Sequence, residues 1–340
     1  MSEPITIAGE TIAPGERRKV SVKVAQRITT GDVEIPAVVL HGRKPGPRLF
    51  VSAALHGDEI NGVEILRRLL ARPMLKQLRG TLVAVPVVNV YGFVSHQRYL
   101  PDRRDLNRCF PGSERGSLAG RVADAFLSNF VQGSTHGIDL HTGAIHRTNL
   151  PQIRARLKGP VVENMARAFA APVILNSSFR PGSLRASAND LGIPVLVYEA
   201  GEALRFDEVS IRAGVRGITA VMRHLGMLPA RTSTPPKAPT DVIAHKSVWV
   251  RAPESGIVAT RLRLGATIER KQVLGQITDP LGESAYEIKS PVAGILIGRT
   301  NLPLANEGDA LFHVATFDAL ESVVEELDAF REDLEIDALV

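Results

Sequence analysis

Leu49-Phe50-Val51-Ser52-Ala53-Ala54-Leu55-His56-Gly57-Asp58-Glu59 decides the reading of this chain. An apolar run of strand length gives way to an imidazole and a carboxylate three residues apart, which is how the end of a buried strand presents ligands to one ion. A third group, His141, closes another short apolar segment, Gly137-Ile138-Asp139-Leu140-His141. His56, Glu59 and His141 together read as a zinc site with a coordination position left for water, the catalytic rather than the structural form. Alone, His-x-x-Glu is a weak signal, since a surface His and Glu at a helix start, where a carboxylate favours the dipole, gives the same letters.

Working outward, short apolar segments alternate with helical patterns from about residue 48 to residue 226, the layout of an α/β domain. Strands are expected at 49–55, 81–88, 137–141, 172–176 and 194–199, and helices at 60–70, 118–131, 152–170 and 206–225. Alternation in residues 20–24 and 33–40 predicts an N-terminal β hairpin, so the catalytic unit spans residues 1–227. Residues 228–242 hold four prolines and little to bury, which predicts an extended linker.

Beyond the linker, Ala252-Pro253-Glu254-Ser255-Gly256-Ile257-Val258 recurs as Ser290-Pro291-Val292-Ala293-Gly294-Ile295-Leu296. Such a repeat predicts a small all-β unit of two similar halves over residues 243–316, resembling the biotinyl/lipoyl-like barrel. The hairpin between the halves, Thr278 to Glu283, has no lysine to carry a cofactor, so a wall or scaffold beside the catalytic unit is the expectation. Residues 317–340 form an acidic tail with Leu320, Val323, Val324, Leu327 and Phe330 at helical spacing.

Composition narrows the function classes. A hydrophobic fraction of 44% excludes a disordered chain, and the single cysteine, Cys109, excludes an internal disulfide and a cysteine-rich metal cluster. No apolar run has the length to cross a bilayer and the first residues lack a signal-peptide pattern, so a cytoplasmic protein without a membrane partner is expected. Nine carboxylates against Arg331 in residues 317–340 leave the rest at +13, from 40 basic and 27 acidic residues. The arginines are dispersed and aromatics are only 5%, which argues against nucleic acid and for a small anionic substrate.

Two further stretches carry chemistry. Arg98-Tyr99-Leu100-Pro101-Asp102-Arg103-Arg104-Asp105-Leu106-Asn107-Arg108-Cys109-Phe110-Pro111-Gly112 is too polar to be core. Its guanidinium and amide groups suit recognition of a carboxylate or polarisation of a carbonyl, whereas Arg103 and Arg104 read as solvated and Cys109 as packing. Val195-Leu196-Val197-Tyr198-Glu199 is an apolar strand ending in an acid, placed to move a proton beside a metal; Glu202, past a glycine, is the weaker candidate.

In order, His-Gly-Asp-Glu, Asp-Leu-Asn-Arg-x-Phe-Pro-Gly, Asp-Leu-His and a strand-end Glu-x-Gly resemble the succinylglutamate desuccinylase/aspartoacylase family, relatives of zinc carboxypeptidases. The Arg-Tyr-Leu-Pro-Asp-x-x-Asp-Leu-Asn-Arg form is closer to its bacterial branch with N-acetyl-diaminobutyrate deacetylases. The resemblance implies a zinc-carboxypeptidase-like mixed sheet flanked by helices, with a smaller C-terminal all-β domain. It implies one Zn2+ on His56, Glu59 and His141, Glu199 as general base and acid, and Arg98 polarising the scissile carbonyl. Asn107, Arg108, Arg185 and Tyr286 would contact substrate.

The expected activity is hydrolysis of the amide bond of a small N-acyl amino acid. A zinc carboxypeptidase acting on short peptides and a metal-binding scaffold without turnover stay open as alternatives, as does a homo-oligomer.

Overall fold

The computed structural model describes residues 2–230 and 242–336. Its centre is a mixed sheet in which Lys44–Ala53 lies between Arg79–Val85 and His136–Gly143, all parallel, with Val195–Glu202 parallel to the last of these. The N-terminal hairpin, Arg17–Gln26 and Asp32–His41, adds antiparallel to Arg79–Val85. Leu49, Phe50, Val51 and Ala53 are fully buried, as expected for parallel strands covered on both faces. Helices Asn61–Leu70, Pro160–Phe169 and Glu208–His224 enclose one core with Leu66, Phe169, Tyr198 and Ile218. On the other face, Leu118–Phe126 and Leu184–Asp190 close over Phe50, Val83 and Phe130.

One expected element is wrong in type. The helix read over 152–170 is a strand, Arg147–Ala155, followed by a shorter helix, Pro160–Phe169. Arginines at 154 and 156 obscure the strand's alternation, yet Leu150, Gln152, Ile153 and Ala155 are buried because both faces of the strand are covered, Ile153 and Ala155 by one core and Leu150 by another. Gly159-Pro160 then restarts the chain as a helix, with proline in the first turn, where its missing N–H costs nothing.

That strand is also the seam to the C-terminal region. Its partners are Val195–Glu202, antiparallel, on one side, and on the other Gly294–Thr300, antiparallel, at its start and Val173–Asn176, parallel, at its end. Ala310–Thr316 and Lys246–Arg251 continue the sheet outward. The C-terminal region is all-β, as expected, and its outer layer is hydrogen-bonded into the main sheet. A second, four-stranded sheet packs against it over Leu274, Ile277, Ile288, Leu296 and Phe312.

The internal repeat is structural. Gly256 and Gly294 have equivalent roles, because a Cβ at either would sit 2.3 Å from Thr278 O or 1.9 Å from Ala315 O. Only glycine permits that strand crossing. The acidic tail forms helix Leu320–Ile336, with Val323, Leu327 and Phe330 buried. Most of the expected linker, residues 231–241, lies outside the described residues, as do 337–340. Among the described residues no helix is long and apolar enough to cross a membrane.

Candidate active site

The parallel strands deliver their polar residues to one end of the sheet. Lys44–Ala53 stops at Ala54, whose φ of 47° turns the chain, and Val88 N and Asn89 N hold the Ala53 and Ala54 carbonyls. Gly57 then passes so close to the Gly92–Phe93 backbone that a Cβ would lie 1.9 Å from Gly92 C. This contact aims His56 and Glu59 inward and leaves both nearly inaccessible, at 4% and 2% exposure.

His141, on the neighbouring strand, meets them. His56 Nδ1 lies 2.8 Å from Glu59 Oε1, and His141 Nδ1 lies 2.8 Å from Glu59 Oε2. The other nitrogen of each ring faces a second carboxylate: His56 Nε2 is 3.1 Å from Asp105 Oδ1, and His141 Nε2 is 2.7 Å from Asp139 Oδ2. Asp139 is itself fixed by the Ser52 hydroxyl at 2.7 Å.

Burial opposes charge on all three side chains, but their mutual attraction prevails. Glu59 is held well below the usual carboxylate range by His56 and His141. His141 is raised well above the usual imidazole value by Asp139 and Glu59, and His56 is raised by Glu59 and Asp105.

This donor set fits a divalent metal. The ligand atoms of His56, Glu59 and His141 lie within 4.8 Å of one another. An imidazole that gives its Nε2–H to a carboxylate turns the Nδ1 lone pair inward, so positive charge is needed between that nitrogen and Glu59. Two imidazoles and a carboxylate are the ligand types of open, catalytic metal sites.

Glu199 occupies the next strand at the same level, in register with His141. Its Oε2 accepts from Asn149 Nδ2 at 2.8 Å, and Arg154 Nε lies 3.6 Å from Oε1. Glu202 is otherwise engaged, accepting from His146 N at 3.0 Å and Asn301 Nδ2 at 2.8 Å. Asn301 belongs to the C-terminal region, which thus ties down the turn after Glu199.

Arg98 joins the cluster directly, with Nη1 on Glu59 Oε1 and Nη2 on Asp105 Oδ2, both at 3.0 Å. Asn107 Oδ1 accepts from Leu184 N at 2.9 Å, which turns its amide donors the other way, and Arg108 beside it is exposed. Arg185 is pinned by Ser177 Oγ and Ser178 O, and burial lowers its pKa to about 10 with help from Arg154. Tyr286 lies on Ala285–Lys289, in register with Ile277 and 45% exposed. No hydrogen bond, ion pair or ring contact among the described residues joins it to the cluster. Cys109 packs, its Sγ 3.3 Å from Asp105 O, and burial raises its pKa.

Ser52, Asp105, Asp139, Asn149 and Arg154 take roles in this site that sequence reasoning misses. Asp105 was legible as the acid opening Asp-Leu-Asn-Arg, a loop otherwise read for its arginines. Asn149 and Arg154 give no signal, because the strand that carries them does not show in the sequence: Arg154 falls within the expected helix 152–170 and Asn149 just before it.

Comparison with known proteins shows the family. A family profile described as the succinylglutamate desuccinylase/aspartoacylase catalytic domain matches residues 45–225. An N-alpha-acetyl-L-2,4-diaminobutyric acid deacetylase of Halomonas elongata is 26% identical over 303 residues, covering 84% of this chain and 86% of the relative. A product-bound ectoine utilization protein of Ruegeria pomeroyi has the same fold, with TM-score 0.78, 24% identity, and coverage of 88% of this chain and 95% of that one. So does a succinylglutamate desuccinylase/aspartoacylase from Rhodobacter sphaeroides, with TM-score 0.79, 24% identity, and coverage of 88% and 96%. With its catalytic profile spanning the strands that carry His56, Glu59, His141 and Glu199, this chain belongs to the succinylglutamate desuccinylase/aspartoacylase family.

Proposed function

We propose that this protein is a zinc-dependent deacylase that hydrolyses the amide bond of a small N-acyl amino acid. The observation that carries the reading is the buried His56–Glu59–His141 cluster with Glu199 one strand away, in register with His141. Family membership and the deacetylase relative supply the reaction class.

His56, Glu59 and His141 would hold the zinc, which when bound supplies Lewis acidity toward water and the amide carbonyl. Glu199 takes a proton from the attacking water and returns it to the leaving amine nitrogen. Asn149 keeps that carboxylate turned to the cluster. Arg98, a permanent cation beside Glu59, stabilises negative charge developing on the carbonyl oxygen. The Asn107 amide and Arg108 guanidinium present only donors and suit the substrate carboxylate, with Arg185 behind them. In this reading residues 1–227 are the catalytic unit and residues 243–316 a wall beside it, attached through Asn149–Gly298 pairing. Tyr286 would approach substrate from the four-stranded sheet of the C-terminal region.

The test is metal content followed by acetate release from a panel of N-acetyl amino acids, with one of those residues also presented at the end of a tetrapeptide. Zinc near one per chain with turnover of the small amides alone is expected. Efficient cleavage of the tetrapeptide would promote the carboxypeptidase reading, and metal without turnover of either would leave a scaffold.

A further inference from the structure

The end of the sheet remote from His56 carries an unused feature. Lys44 and Arg79 pair at the very start of their parallel strands, and beside them Arg17, Arg43, Arg72 and Lys76 line the same open cleft of about 1240 Å³. All six are exposed. None forms an ion pair with a described carboxylate, and the acid in the cleft wall, Glu16, is already held by Arg18 at 2.6 Å. Apart from the buried His41, no ring lines the cleft, so it offers charge without the stacking surface that nucleobases require.

The complementary feature is on the helix Leu320–Ile336. Glu321, Glu325, Asp328 and Glu332 are exposed at spacings of four, three and four, which puts them in one stripe roughly 16 Å long. Val323, Leu327 and Phe330 bury the opposite face against the chain's own core, so the helix is anchored and the stripe displayed. Asp328 pairs with Arg331 at 3.1 Å, and none of the six cations named above forms an ion pair with the stripe.

We infer that the basic cleft of one copy of this chain receives the acidic C-terminal helix of a second copy. Exposed like charges in one place are self-repelling, and each patch supplies the kind of charge the other lacks, the six cleft cations exceeding the four carboxylates of the stripe. A two-fold arrangement forms the contact twice, which compensates for the small worth of each exposed ion pair. The contact lies at the opposite end of the sheet from the metal ligands and is independent of the reaction.

The test is the solution mass of the full chain, by light scattering or sedimentation, at about 0.02 M and about 0.5 M salt. Wild type should be dimeric at low salt, with a dissociation constant roughly tenfold or more higher at the upper concentration. Arg43→Glu with Arg79→Glu should give a monomer at low salt, as should Glu321→Lys with Glu325→Lys and Glu332→Lys. An equimolar mixture of the two variants should regain dimer mass, because both contacts re-form with one reversed. A wild type that is monomeric at low salt, a mass indifferent to either reversal, or a mixture that stays monomeric would overturn the inference. Circular dichroism melting identifies a misfolded variant, for which Arg43→Gln with Arg79→Gln is the milder replacement.

Discussion

Glu199 and His141 stand side by side on adjacent parallel strands, so the sheet itself fixes the distance between a metal-ligand candidate and the proposed base. Asn149, from the antiparallel strand on the other side, donates to Glu199. Glu199→Gln keeps this frame and removes only proton transfer. Turnover of an N-acetyl amino acid should fall by about 10²-fold or more with metal content unchanged. Near-normal activity would move the base elsewhere. His141→Ala should lose metal instead.

Asp139 accepts from both His141 and Ser52, which holds the imidazole's inner lone pair toward the cluster. Asp139→Asn should weaken zinc affinity by roughly 10- to 100-fold, measured by competition with a chromogenic chelator. Affinity equal to wild type would show that the ring is oriented without this carboxylate.

Arg108 is exposed, and the neighbouring Asn107 offers only its amide donors, since Leu184 N occupies its oxygen. Arg108→Lys retains charge but loses the planar fork. KM for an N-acyl amino acid should rise by about tenfold with a smaller change in kcat. Unchanged kinetics would place the carboxylate on other residues, with Arg185 the first to examine.

His313 is 3% exposed and stacked on Trp249 at 4.5 Å, with no partner for Nδ1. Burial, with the Arg154 charge nearby, lowers its pKa to about 3 from the usual 6.5. Between those values the unfolded chain binds the proton that the folded protein refuses, so stability falls as pH drops from about 6.5 toward 3. His313→Phe keeps a stacking ring and removes the titration. Its stability should decline less steeply over this range, by up to about 1.4 kcal/mol per pH unit in denaturant titrations. Identical slopes would show that this histidine is protonated in the native state.

The sequence by itself identified the cluster His56, Glu59 and His141, the strand ending at Glu199, the two-copy β repeat and the helical face of the acidic tail. These signals are local: apolar runs end in polar residues, and periods of two or of three to four repeat within one segment. The tertiary structure alone decided that Arg147–Ala155 is a strand, that Asn149 meets Glu199 across 50 residues, and that Gly294–Thr300 extends the main sheet. It also engaged Glu202 with Asn301 and placed Tyr286 on the four-stranded sheet. The physical reason is that strand pairing is a contact between distant segments. A stretch carrying Arg154 and Arg156 shows little strand periodicity of its own, and its conformation is set by partners that satisfy its backbone on both edges.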